Sequence, residues 1–118
     1  MSEQKIASPL RGEVWLVNFD PSLGREQGGS RPAMIISVDP VNAGPSNMVI
    51  VVPITSRSKG IRSQVQIEPP EGGLVVTSYI KCEDVRAISK ERITKRLGAT
   101  SARTMMEAED KLRILIGL

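Results

Sequence analysis

Residues 24–32 hold Gly24, Gly28 and Gly29, the arginines Arg25 and Arg31, and Glu26 and Gln27, between two apolar runs. A hairpin needs only a few turn residues. Glycine lets a backbone approach a ligand closely. Arginine presents a planar fork of donors that matches phosphate. A polar, glycine-rich loop on strands is where function concentrates; the bland alternative is a mobile hairpin loop with solvated charges. A second stretch follows the apolar run 48–54: Thr55 and Ser56, then Arg57, Lys59 and Arg62. Hydroxyls beside cations suit an anionic ligand.

The chemistry open to these residues is narrowed by what the chain lacks. Its 118 residues contain no histidine. That removes histidine acid–base pairs, Ser-His-Asp triads and histidine-ligated metals. The one cysteine, Cys82, cannot form an internal disulfide and reads as a buried core thiol. Net charge is +3, which permits nucleic-acid binding without demanding it. Lys90, Arg92, Lys95 and Arg96 form a further basic patch, with a solvated face as its default reading. Trp15, Phe19 and Tyr79 are the only aromatics, too few for a platform of stacked bases. The longest apolar run is about seven residues, far short of the roughly 20 a membrane helix needs. The N-terminus has no apolar signal core. A cytoplasmic protein with no membrane partner is expected.

The elements that must position these residues are legible from periodicity. One domain is expected over 1–118, with 1–10 frayed. Strands are predicted at 13–19 and 33–38, with Trp15 in the core. Residues 39–47 read as a turn-rich loop. The run 48–54 predicts a central strand, with Pro53 at an edge or at the strand's end. That places Thr55 and Ser56 where the chain leaves the sheet. Residues 64–68 alternate as a half-exposed strand, 69–73 form a turn, and 74–81 predict another strand. A short turn at 83–85 precedes 86–88, a capped turn covers 89–92, and 96–98 close the β part. From Thr100 the period becomes helical. Thr100 or Ser101 caps the helix, Met105, Ala108, Leu112, Leu115 and Ile116 share its apolar face, and Gly117 ends it. Five or six short strands and one terminal helix predict a small curved sheet or barrel with the helix as its lid.

Taken in order, Arg11-Gly12-Glu13-Val14-Trp15, the 24–32 loop, Pro53-Ile54-Thr55-Ser56 and Glu83-Asp84-Val85-Arg86-Ala87-Ile88 resemble the MazF/PemK/Kid family of toxin endoribonucleases. The resemblance runs from Arg11 to Leu118. It implies a mainly β, SH3-like (PemK-type) small barrel with a C-terminal α-helix. It also implies a homodimer that cuts single-stranded RNA without metal or cofactor, and a cognate acidic antitoxin (MazE-like) lying in the RNA groove.

RNA carries its own nucleophile, the 2′-hydroxyl. Its attack needs a proton acceptor, stabilisation of the phosphoryl oxygens, and a proton for the leaving 5′-oxygen. Arg31 and Thr55 match the family's catalytic positions. Arg31 reads mainly as an electrostatic stabiliser, since a pKa above about 12 makes arginine a poor base. Thr55 reads as a hydroxyl donor, or as a strand-end residue bonding its own turn. Glu26 matches a position implicated in activity, either as base or as the carboxylate holding Arg31 or Arg25. Gln27, Gly28 and Gly29 would read splayed bases, and Phe19 would stack on one. Ser56, Arg57, Lys59 and Arg86 would meet phosphates, with an ion pair to Glu83 as the alternative for Arg86. Arg25 stands where the family commonly has a small residue, and an added cation there would strengthen binding or alter the preferred sequence. Two other readings remain: a gyrase-inhibiting toxin of the CcdB type, which shares the architecture and cleaves nothing, and a non-catalytic SH3-like peptide-binding module, for which the aromatics are too few.

Overall fold

The computed structural model describes residues 8–20 and 29–118. The fraying expected at the N-terminus lies outside them for residues 1–7. Residues 8–10 depart from it: Pro9 is fully buried, and the Leu10 N–H donates to Glu13 Oε1 at 2.7 Å.

Alternation along the first strands builds two cores. In β1 (Glu13–Asn18), Val14 joins one core, while Trp15 and Val17, followed by Phe19, join another. Strand β2 (Ser30–Ile35) sends Met34 to the first core and Ala33 and Ile35 to the second. Strand β3 (Met48–Thr55) buries Val52 and Ile54 on one side and Val49 and Val51 on the other. From Val51 to Thr55 the strand is buried on both sides and has no polar positions to spare within the sheet, while Met48 and Ile50 at its start are 39% and 40% exposed. Each such side chain contributes roughly 1.5–3 kcal/mol relative to exposure.

The remaining strands are β4 (Gln64–Ile67), β5 (Ser78–Lys81), β6 (Arg86–Ser89) and β7 (Ile93–Ala99). The hydrogen-bonded order is β4-β5-β3-β2-β1-β7, with β6 beside the first half of β3. The ladders described are antiparallel. β3 therefore changes partner along its length. β6 pairs with Met48–Val51, and β5 with Ile54 and Thr55. Pro53 falls at that change. The Ile50 carbonyl accepts from β2's side, so by alternation the Pro53 nitrogen faces the gap between β6 and β5, where a missing donor breaks no ladder. Pro53 is thus neither at an edge nor last in its strand.

The same change of partner corrects the barrel. The fold is the expected small antiparallel β architecture with a C-terminal helix, but its sheet is not closed. β4 and β7 end the order. The β4–β5 ribbon pairs with β3 only after Pro53, and helix α2 (Ala102–Ile116) covers the first core with Met105 and Ala108, against which Leu112 packs. Ser101 is the N-cap, its hydroxyl accepting from Thr104 N–H, and Gly117 ends the helix in the left-handed region. Leu115 and Ile116, expected on the buried face, are 46% and 60% exposed. Beyond Leu112 the helix outruns the core it covers.

Three local expectations also change. Residues 39–43 form a short helix, α1 (Asp39–Ala43), rather than loop, since proline suits a first turn. Buried Asn42 of α1 donates to the Ser37 carbonyl at 3.0 Å and accepts from the Ser37 hydroxyl, tying α1 to the end of β2. The predicted strand 74–81 shortens to β5. Residues 74–77 fall outside it and follow a turn that crosses β7 so closely that a Cβ on Gly73 would sit 1.9 Å from the Leu97 carbonyl oxygen. The basic patch is not merely solvated. Lys90 donates to the Asn42 carbonyl at 2.6 Å, Arg92 to the Asn18 carbonyl at 3.1 Å, and Arg96 to Glu13 at 2.6 Å. Burial alone would raise the Glu13 pKa, but the Leu10 N–H, the Arg96 guanidinium and the Trp15 indole together hold it below the usual carboxylate value. Cys82 is buried as expected. Burial and the nearby Glu83 charge push its thiol up to about 11, so it stays protonated and inert near neutral pH.

Candidate active site

Arg31 lies in β2, opposite Val17 of β1. Thr55 is the last residue of β3. The β2–β3 register pairs Ala33 with Pro53. Carried two residues further, the antiparallel count sets Arg31 across from Thr55, on one face of the sheet. Both line a single cavity of about 210 Å³, with Pro32, Ile54, Ser56, Leu74, Val75, Val76 and Ser78. Two residues far apart in sequence thus meet because their strands are neighbours.

Thr55 is 9% exposed. Its Oγ1 accepts from the Arg57 N–H at 3.1 Å. The turn-bonding role is therefore real, and it does not exclude the other. A hydroxyl that accepts with its oxygen keeps its proton to donate, and the bond fixes where Oγ1 sits. The same turn sends Ser56, Arg57 and Lys59 outward, all exposed. Their loop is pinned where the Lys59 N–H donates to Gln64 Oε1 at 3.1 Å and the Gly60 N–H to Ser58 Oγ at 3.1 Å.

The other candidates sort differently. Glu26, Arg25, Gln27 and Gly28 lie outside the described residues. Gly29 is at positive φ, 76°. Its N–H donates to Asp20 Oδ1 at 2.8 Å, and its carbonyl accepts from the Phe19 N–H at 2.9 Å. The Gly29 amide is committed to the hairpin, not held out for a base. Phe19 is 4% exposed, and the Arg86 guanidinium lies 4.4 Å from its ring centroid. This cation–π stack engages the ring with the protein's own guanidinium. Arg86 and Phe19 line a second cavity of about 550 Å³ with Met48, Ala87, Ile88, Ser89 and Arg92. The structure brings these two together, apart from the Arg31–Thr55 cavity.

Tyr79, set aside with the other aromatics in the sequence, stands directly opposite Thr55 in the β3–β5 ladder. In the sequence Leu74, Val75, Val76 and Ser78 read only as strand. Nothing in their alternation marks them as cavity walls, because that depends on where the segment lands.

Comparison with known proteins follows the same lines. The family model of the PemK-like, MazF-like toxins of type II toxin–antitoxin systems matches residues 10–116. The chain is 33% identical over 113 residues to the endoribonuclease MazF9 of Mycobacterium tuberculosis, covering 92% of this chain and 96% of that protein. The crystal structure of MazF from Deinococcus radiodurans superposes with a TM-score of 0.85 at 30% identity, covering 96% of this chain and all of that one. A mycobacterial endoribonuclease in complex with its cognate antitoxin gives a TM-score of 0.74 at 25% identity, covering 96% of this chain and 97% of that one.

Proposed function

The chain belongs to the PemK-like, MazF-like toxins of type II toxin–antitoxin systems, and from that premise we propose that it is a sequence-specific endoribonuclease cutting single-stranded RNA without metal or cofactor. The observation that carries this reading is the shared cavity of Arg31 and Thr55. Arg31 engages the scissile phosphate through two of its donors, and its charge stabilises the developing dianion. The Thr55 hydroxyl donates a hydrogen bond to a phosphoryl oxygen and keeps its proton. The 2′-oxygen forms a bond to phosphorus as the bond to the 5′-oxygen breaks. One proton leaves the 2′-hydroxyl and one arrives at the 5′-oxygen. The products are a 2′,3′-cyclic phosphate and a 5′-hydroxyl. Ser56, Arg57 and Lys59 follow Thr55 outward and meet the flanking phosphates.

The test is cleavage of a single-stranded RNA by the purified protein in excess EDTA. Fragments with 5′-hydroxyl ends at recurring sequence positions are expected. Activity abolished by EDTA and restored by magnesium would sink the metal-free mechanism. A toxin that only binds a protein, or a peptide-binding module, would leave the RNA intact.

Two partners belong to the same proposal. The first is an acidic antitoxin segment that folds on binding and sets carboxylates against Arg31, Arg57 and Lys59, where phosphates otherwise sit. Such a segment raises the apparent KM for RNA and leaves kcat unchanged; simultaneous binding of the segment and an uncleavable RNA at full affinity would refute the shared groove. The second is a further copy of this chain. Ile114, Leu115, Ile116 and Leu118, 79%, 46%, 60% and 84% exposed, leave apolar surface that a homodimer would cover. Sedimentation at micromolar concentration should give a dimer, and a fully active monomer would contradict it. No helix among the described residues is long and apolar enough to cross a membrane. With RNA as substrate, the cytoplasm is the proposed site of action.

A further inference from the structure

The cavity that holds Arg31 and Thr55 has no uniform surface. Its lining mixes polar groups, from Arg31, Thr55, Ser56 and Ser78, with apolar ones that include Val75 and Val76. Val75 is 88% exposed and Val76 52% exposed, yet neither sits on a loose segment. Leu74 before them is buried in the first core. Ser78 after them starts β5, and its hydroxyl donates to the Val76 carbonyl at 2.9 Å. The Thr77 hydroxyl donates to Glu68. Valine is stiff at χ1. The result is a firm apolar surface held in water beside the phosphate-binding groups, where solvation gains nothing from it.

We propose that Val75 and Val76 form a shelf that seats one unstacked nucleobase flanking the scissile phosphate, and that they thereby position the RNA for in-line attack. This rests on the endoribonuclease reading. The occupant follows from continuity. A phosphate at Arg31 and Thr55 carries a ribose and base on each side, and a base splayed from its neighbours needs an apolar face to cover it. The backbone is anionic, so the base is the only part of the RNA that suits valine. Valine carries no hydrogen-bonding side-chain group, so the shelf recognises a base's face and not its edge. It tolerates all four bases and penalises the loss of one.

The experiment crosses protein with substrate. The parent protein and the Val75→Ser/Val76→Ser variant are each given a cleavable oligoribonucleotide, and the same oligoribonucleotide made abasic at the nucleotide on one or the other side of the scissile phosphate. The parent should cleave one of the abasic substrates with kcat/KM lowered about tenfold, the scale of losing one base contact. The variant should lose about tenfold on the intact substrate and show no further loss on that abasic one. The two defects overlap only if the valines and the base touch. Both side chains are exposed, and an unchanged urea midpoint would show that the variant folds as the parent does.

Parent-like kcat/KM of the variant on intact RNA would overturn the shelf alone, as would equal losses on intact and abasic substrates. Weaker binding of an acidic inhibitor peptide with unchanged RNA cleavage would assign the valines to the inhibitor, and so overturn it too. No cleavage of any RNA by the parent would overturn both the shelf and the endoribonuclease reading.

Discussion

Alanine in place of Arg31 or of Thr55 is expected to slow RNA cleavage at least about 100-fold, the scale of losing one preorganised donor to a developing oxyanion. The two positions reach this loss by different routes. Arg31→Ala removes a charge and a two-pronged donor from an exposed position in β2. Arg31→Lys should not rescue it well, since an ammonium keeps the charge and lacks the fork. Thr55→Ala removes a hydroxyl that is held in place by the Arg57 N–H at 3.1 Å. Thr55→Ser keeps that oxygen and should retain much of the rate. If both side chains act on one transition state, the double variant loses less than the product of the single losses. Single-turnover rates at saturating RNA decide the matter. The urea midpoint should stay near the parent's for Arg31→Ala, whose side chain is outside both cores. Near-wild-type cleavage by either alanine variant would refute the assignment.

A substrate with a single 2′-deoxy sugar at the scissile nucleotide is expected to resist cleavage altogether. The protein offers no histidine and a cavity walled by an arginine, hydroxyls and apolar side chains. The proposed chemistry therefore takes its nucleophile from the RNA. Removing that oxygen removes the bond-forming atom, a larger effect than any single side-chain change, while binding through phosphates and bases continues. The 2′-deoxy oligonucleotide should thus act as a competitive inhibitor with an affinity close to the substrate's KM, provided chemistry is slow relative to dissociation. Equal cleavage of the deoxy and ribo substrates would mean that water or a protein group attacks phosphorus, and the mechanism would fall.

The features legible along the chain are those that local physics dictates. The run 51–54 is apolar because this half of β3 is covered on both faces. The Ser101 cap and the Gly117 terminus mark a helix whose ends obey near-neighbour geometry. Ser89 likewise caps the turn Lys90–Arg92 by accepting from the Glu91 N–H. The family resemblance names Arg31 and Thr55 as candidates, and their positions on adjacent strands let the two side chains converge.

Other outcomes depend on what lies across a gap between elements. The sheet order ends at β4 and β7, and β3 exchanges β6 for β5 at Pro53, pairings no local pattern encodes. Leu115 and Ile116 continue the apolar spacing of α2 but end in solvent, since periodicity records a face and not what covers it. Phe19 is engaged by Arg86 and Gly29 is bonded to Asp20, so residues whose types suit RNA are taken by the scaffold. Val75 and Val76 alternate into no core. Their place beside Arg31 follows a turn that crosses β7 with no room for a side chain at Gly73. Sequence fixes which groups exist and how each turn bends; long-range pairing decides which of them share a cavity.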